Sequence, residues 1–306
     1  MRKRISFWAA ASRAPFFTGS ALPVALGAAA TWYQSGRFNL GLFLLTLVGA
    51  VAIHAGANLT NDYYDHLSRA DDINPNYVTP FFGGSRMIQQ RLVTPRATLV
   101  AGLACLGAGA AIGIILAVLR GWPVLAIGAA GGIMALCYTA PPVKLGYRGF
   151  GELAVALSFG VLMVAGAQYV QVKQITAVGL AASAPVALLI LLVLYVNQFP
   201  DAPADAQAGK RHLVVRLGTR RASYGVPLLY AATYASIIGA VAMGVAPEWC
   251  LIALLSAPLG AGASAIDLKF HDQPRRVVPA SPMTIAAHAL TALLLIIGYI
   301  IGGAQR

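Results

Sequence analysis

The stretch His54-Ala-Gly-Ala-Asn58-Leu-Thr-Asn61-Asp62-Tyr63-Tyr64-Asp65, continuing to Asp71-Asp72, sets carboxylates and amides at the end of an apolar segment. A second set, Asn197-Gln198-Phe199-Pro200-Asp201 continuing to Asp205, ends another apolar segment. The chain has ten acidic residues, and six of them fall in these two stretches. In each stretch an Asn precedes an Asp by four residues, which places both side chains on one helical face. Like charges this close raise each other's pKa unless a cation neutralises them. Hard oxygen ligands of this kind suit Mg²⁺, which combines a few carboxylates with substrate phosphates. Read outward from these stretches, the sequence points to a metal–diphosphate site at a membrane surface.

Composition supplies the membrane. Of the 306 residues 58% are hydrophobic and 10% charged, with mean hydropathy +0.71, against about 25% charged residues in an average soluble domain. A span needs about 20 predominantly apolar residues. Nine segments qualify, near 15–34, 38–60, 97–118, 122–140, 150–170, 176–197, 224–244, 249–267 and 284–303. They leave no room for a separate soluble domain, so residues 1–306 are expected to form one all-α membrane domain of about nine transmembrane helices. The three cysteines, Cys105, Cys137 and Cys250, each fall inside a span and show neither disulfide nor zinc spacing.

Basic residues give an orientation. Of 22 Lys and Arg, only Arg37, Arg120, Lys173 and Arg306 fall on one side of this segmentation, and the other 18 fall on the opposite side. Positive-inside logic places the crowded side, with the N-terminus and both acidic stretches, in the cytoplasm and the C-terminus outside. An inner (cytoplasmic) membrane location follows. The net charge of +12 is spread over short loops and fits topology and anionic lipid better than nucleic acid, which is excluded as a partner.

The two Asn-x3-Asp stretches recur four helices apart, as in a weak internal repeat whose interface builds a site. Gly128–Gly132, in the fourth span, is expected to allow close helix packing.

These residues carry a resemblance. The His54–Asp65 stretch with Asp71 resembles the first aspartate-rich motif of UbiA-superfamily intramembrane prenyltransferases. Asn197-x3-Asp201-x3-Asp205-x3-Gly209-Lys210, running on to Arg216 and Gly218, resembles the second. Between them Tyr138-Thr139-Ala-Pro141-Pro142-Val-Lys144-Leu-Gly-Tyr147-Arg148, continuing to Glu152, is similar to the family's Tyr-Ser/Thr-x-Pro-Pro loop. The resemblance covers nearly the whole chain. It implies a helical bundle around a central lipid-accessible cavity, and transfer of a polyprenyl group from its diphosphate to an aromatic acceptor. It also implies that Asp65, Asp71, Asp201 and Asp205 are the catalytic carboxylates and hold Mg²⁺ with Asn61. Asn58, Asn61, Asn197, Tyr138, Arg86, Lys144, Arg148 and Lys210 are then the candidates for binding diphosphate and substrate. Lys144 and Arg148 also suit simple anchoring at the membrane interface. Asp62 and Asp72 adjoin the matched positions and are either supporting or solvent-facing.

The acceptor is read from spacing within the resemblance. The 4-hydroxybenzoate-type members place a third Asp where this chain has Arg69, whereas here the next acid is Asp71, as in the naphthoate-type branch. His54-x3-Asn58 and Gly83-Gly84-Ser85-Arg86 lean the same way, while Pro200 departs from the Arg that many of that branch carry. The expected acceptor is 1,4-dihydroxy-2-naphthoate, prenylated with decarboxylation; 4-hydroxybenzoate or another aromatic or lipid acceptor is the alternative, and an isoprenoid-binding scaffold the non-enzymatic one. A transporter would hold its charges near the bilayer midplane, and the Asp-Gly-x2-Ala-Arg signature of CDP-alcohol phosphotransferases is absent. His54 lies inside a span, where a polar side chain is costly; it is either a satisfied core histidine or part of the acceptor pocket. His66, His212, His271 and His288 show no ligand spacing.

Overall fold

The computed structural model describes residues 2–75, 77–79 and 83–306, with side chains from residue 7 onward. The side chains of Arg2, Lys3 and Arg4, counted above for orientation, lie outside that range. The described residues are helical: α1 (Arg2–Ala11), α2 (Ala14–Ser35), α3 (Leu40–Leu67), α4 (Pro95–Arg120) and α5 (Pro123–Cys137), then α6 (Gly151–Val172), α7 (Ala177–Gln207), α8 (Thr219–Ala242), α9 (Glu248–Phe270) and α10 (Pro274–Ala304). Eight of them, all but α1 and α5, are long and apolar enough to cross a membrane. The remaining expected span, α5, has only 15 residues.

Local signals mark the helix boundaries. Asn39 caps α3 by accepting from Leu42 N at 2.9 Å, and Thr94 caps α4 by accepting from Ala97 N at 3.2 Å, with Pro95 at the first helical position. Gly36, at φ 63°, closes α2. Two helices run past the apolar segments assigned to them. α3 continues from the expected end at 60 to Leu67, and α7 from 197 to Gln207. Hydropathy falls where the acidic motifs begin, but hydrogen bonding continues, so both motifs are helical. With 28 and 31 residues, these helices are roughly 42 and 46 Å long at ~1.5 Å rise per residue, against a hydrocarbon core of about 30 Å. The surplus turns carry the carboxylates to the bundle's end.

α7 contributes to both of the larger cores. One core joins Leu26 of α2, Val164 of α6, Val186 of α7, Ile237 of α8, Ala253 of α9 and Leu295 of α10. A second packs Leu192 and Phe199 of α7 against Val226, Ala263 and Ala287. Only Leu116, Val124 and Val170 make a third between α4, α5 and α6. α6 contains a π turn over Ala156–Leu162. Within it Gly160 packs on the α7 backbone, where a Cβ would stand 2.8 Å from Ala187 N.

The loops sort into two ends. At one, Arg120 donates to Gln171 O at 2.7 Å, Gln171 Oε1 accepts from Asn39 N at 2.8 Å, and Arg306 donates to Tyr33 OH at 2.6 Å. The loops bearing Arg37, Arg120 and Lys173 thus share an end with Arg306, as the charge partition requires. At the other end, Arg211 N donates to Tyr147 O at 3.0 Å and Arg216 to Arg148 O at 2.8 Å. The loops after α5 and α7 are thereby fastened together beside the acidic motifs.

Candidate active site

A cavity of about 850 Å³ is enclosed by α2 to α7. Its mouth is lined by Arg13, Asn61, Asp65, Asp71, Asp201, Asp205 and Lys210. Its depth is apolar, reaching Leu116, Val124 and Val170. Ile114, Leu125 and Ile133 line it and are also half-exposed on the outside of the bundle. The cavity therefore reaches the apolar outer surface between α4 and α5.

The two acidic stretches face each other across this mouth. Lys210 Nζ stands between them, 3.5 Å from Asp65 Oδ2 and 3.6 Å from Asp205 Oδ2. Burial alone would lower the Lys210 pKa, but Asp205 and Asp65 outweigh it and hold the ammonium well above its usual value. On α3, Asn61 Nδ2 donates to Asp65 Oδ2 at 3.1 Å and Tyr147 OH donates to Asp65 Oδ1 at 2.8 Å. On α7, Asp201 accepts from Asn74 Nδ2 at 2.6 Å and from Gly83 N at 3.3 Å. His212 Nε2 lies 3.1 Å from Asp205 Oδ2. Asp62 is buried, ion-paired with Arg13, and accepts from Ser85 N at 3.2 Å. Asp72 is exposed and lies 3.7 Å from His66.

Asp71 sits in the loop after α3 against Gly84, whose φ of 78° and missing Cβ admit the carboxylate. Burial first, then Asp65 and Asp62, push its carboxyl up to about 8. Such a group calls for a cation to ionise. Asn61 Oδ1 is buried with no hydrogen-bond partner among the described residues, and every candidate donor is a hard oxygen. This donor set fits Mg²⁺. Among the described residues no three His, Cys, Asp or Glu side chains close into a cage of their own. Two facing sets of that kind suit an ion that completes its shell with phosphate oxygens.

The remaining candidates separate. Asn58 lines the cavity and donates to Ser12 O at 2.9 Å, and Asn197 lines it while accepting from Ser281 Oγ at 2.5 Å. Tyr138 lines it too, its ring packed on Gly146 and Gly151 so closely that a Cβ on either would stand 3.1 Å away. Arg86, Lys144 and Arg148 do not line the cavity. Arg86 donates to the Asp71 backbone oxygen and lies over the Tyr77 ring at 4.2 Å. Lys144 lies 5.1 Å over the Tyr147 ring, and the exposed Arg148 donates to Pro142 O at 2.9 Å. Their loops are at the right end of the bundle, but these side chains are spent on local contacts.

Sequence reading overlooked Arg13, Asn74, Tyr147 and His212 as site residues. Arg13 precedes α2 and meets Asp62 only through tertiary packing; its sequence shows one more basic residue near a terminus. Tyr147 lies within the loop motif, which is the one signal available for it. Gly128–Gly132 also read differently in the structure. A Cβ on Gly128, Gly131 or Gly132 would meet nothing within 4 Å among the described residues, and all three line the cavity. These glycines make room instead of drawing helices together.

The model of the UbiA prenyltransferase family matches residues 20–291. The chain belongs to the UbiA prenyltransferase family. It is thereby a membrane prenyltransferase, and its relatives narrow the branch. It is 36% identical over 258 residues to a 1,4-dihydroxy-2-naphthoate octaprenyltransferase of Mycobacterium tuberculosis, covering 84% of each chain. It is 27% identical to a 2-carboxy-1,4-naphthoquinone phytyltransferase of Synechocystis, covering 95% of this chain and 92% of that one. In fold it is similar to an apo UbiA homolog from Aeropyrum pernix (TM-score 0.71, 17% identity, covering 92% of this chain and 97% of that one). It is similar too to a UbiA homolog from Archaeoglobus fulgidus bound to geranyl diphosphate and Mg²⁺ (TM-score 0.62, 16% identity, 95% and 99% covered).

Proposed function

We propose that this UbiA family member transfers a polyprenyl group from its diphosphate to 1,4-dihydroxy-2-naphthoate, with loss of the ring carboxylate, over the whole chain as one membrane domain. The observation that carries the reading is the polar mouth, with two carboxylate sets around Lys210, opening onto an apolar cavity of about 850 Å³. The naphthoate relatives supply the acceptor.

Asp65, Asp71, Asp201 and Asp205, with Asn61, are the residues that would hold Mg²⁺. Bound there, it would neutralise the departing diphosphate. Lys210 adds a fixed positive charge at the same mouth, and Arg13 a second one beside Asp62. The α4–α5 wall takes the prenyl tail, and Asn58, Tyr138 and Asn197 border the space between tail and head. The allylic C–O bond breaks with its electron pair leaving on diphosphate. The ring carbon bearing the carboxylate forms the new C–C bond, and that carboxylate departs as CO₂, its electron pair restoring the aromatic ring. No proton is lost at that carbon, so no base is required there. The cavity mouth faces the cytoplasm of an inner-membrane protein whose N-terminus is inside and C-terminus outside, on the strength of the basic-residue partition.

The deciding experiment supplies dihydroxynaphthoate labelled in its carboxyl carbon, with prenyl diphosphate and Mg²⁺, to the purified chain. Labelled CO₂ should appear mole for mole with prenylated product. Prenylation of 4-hydroxybenzoate with none of the naphthoate would overturn the acceptor assignment and leave family membership standing.

A further inference from the structure

His54 belongs to the cavity. It lies on the α3 face that also carries Asn58, Asn61 and Asp65, at successive spacings of four, three and four residues, and all four line the same space. It is eleven residues from Asp65, roughly 16 Å deeper along the helix at ~1.5 Å per residue. The ring is clamped edge-on between Phe17 at 5.3 Å and Phe159 at 4.6 Å. Phe159 sits in the π turn of α6, a distortion frequent at functional sites. Ser20 Oγ, fully buried on α2, lies 2.6 Å from His54 Nδ1.

That contact fixes the chemistry of the other nitrogen. His54 is the sole hydrogen-bond partner of Ser20 Oγ among the described residues. If Nδ1 carried the proton, the buried Ser20 hydroxyl hydrogen would have no acceptor, which costs free energy. The hydroxyl therefore donates to Nδ1, and the neutral imidazole keeps its proton on Nε2. Nε2 has no protein partner among the described residues, in a ring that borders the cavity. An apolar span does not keep an unpaired N–H without cost. The opposite wall, with Gly128, Gly131 and Gly132, is smooth and offers no hydrogen bonds, as a hydrocarbon tail requires.

We propose that His54 binds the aromatic acceptor, its Nε2–H donating to an oxygen of the ring substituents at the edge away from the carboxylate mouth, while Ser20 acts as a positioning residue that sets the tautomer. The inference rests on the prenyl-transfer reading above. It divides the cavity into a donor wall along α4 and α5 and an acceptor wall along α2, α3 and α6.

The test is steady-state kinetics of the full chain in nanodiscs, with KM measured separately for geranylgeranyl diphosphate and for the aromatic. His54→Phe keeps a ring between Phe17 and Phe159 and removes both nitrogens. It should raise the aromatic's KM at least tenfold and leave the diphosphate's KM within twofold. His54→Gln, which returns an N–H, should recover most of the loss, and Ser20→Ala should fall between. Equal changes in both KM values, or an unchanged aromatic KM, overturn the proposal while the naphthoate reading stands. If the wild type prenylates only 4-hydroxybenzoate, the naphthoate reading falls and the same split on that acceptor decides His54. If it takes neither aromatic, both fall.

Discussion

Gly131 offers a direct measure of how the tail is held. Its Cβ position opens on the cavity with nothing within 4 Å, so Gly131→Leu adds four carbons to space assigned to the prenyl chain. A side chain of that size displaces nearly one isoprene unit from its burial. At ~0.8 kcal/mol per methylene the displaced burial is worth about 3 kcal/mol, or roughly a hundredfold in affinity. The helix itself should gain, since Leu is better than Gly in a helix interior by ~0.8 kcal/mol. Position sets a threshold. Gly131 lies seven residues before Tyr138, about 10 Å of helix rise from the polar mouth. Dimethylallyl diphosphate, one isoprene unit long, ends short of it. KM for dimethylallyl, geranyl, geranylgeranyl and octaprenyl diphosphates should therefore be unchanged for the shortest and rise steeply once the tail reaches residue 131. A uniform rise across all four, or normal KM for the longest, would refute the placement of the tail.

Four further outcomes follow from the same geometry. Alanine at Asp65, Asp71, Asp201 or Asp205 should lower kcat about a hundredfold or more with the protein still folded and inserted; near-normal turnover in two of them would remove these groups from the reaction. Because the buried Asp71 carboxyl is held up to about 8, a cation must displace a proton below that pH. Mg²⁺ affinity, read from its shift of Tm, should rise with pH up to 8 and level off above; Asp71→Asn should reduce the slope, and a flat wild-type slope would contradict it. Gly160→Leu, unlike Gly131→Leu, forces a side chain into the Ala187 backbone and should destabilise by about 1–3 kcal/mol, seen as a lower Tm; equal thermal stability would show that α6 and α7 do not pack as described. A reporter fused after Arg306 should lie outside the cytoplasm and a cysteine placed at Gln207 inside; labelling of both from one side would overturn the orientation.

Sequence alone determined the membrane setting, the approximate positions of eight of the nine expected spans, and the clustering of carboxylates that the fold brings to one cavity mouth. Apolar length is a local property, and so is the clustering of carboxylates, which needs a cation whatever the fold. Asp65 and Asp205 could thus be singled out although they lie 140 residues apart. Which basic group stands between them depended on where the loops fold back: Lys210 reaches both, while Lys144 and Arg148, equally cationic and on the same side, turn to Tyr147 and Pro142. The glycines make the same point. Gly131 and Gly160 are indistinguishable as letters in apolar helices, yet one faces open space and the other the backbone of α7, because a missing Cβ takes its meaning from what stands opposite. His54 could not be resolved from its neighbours in sequence either, since core and pocket histidines look alike there. Only the tertiary structure shows the ring at the cavity wall with Ser20 at Nδ1.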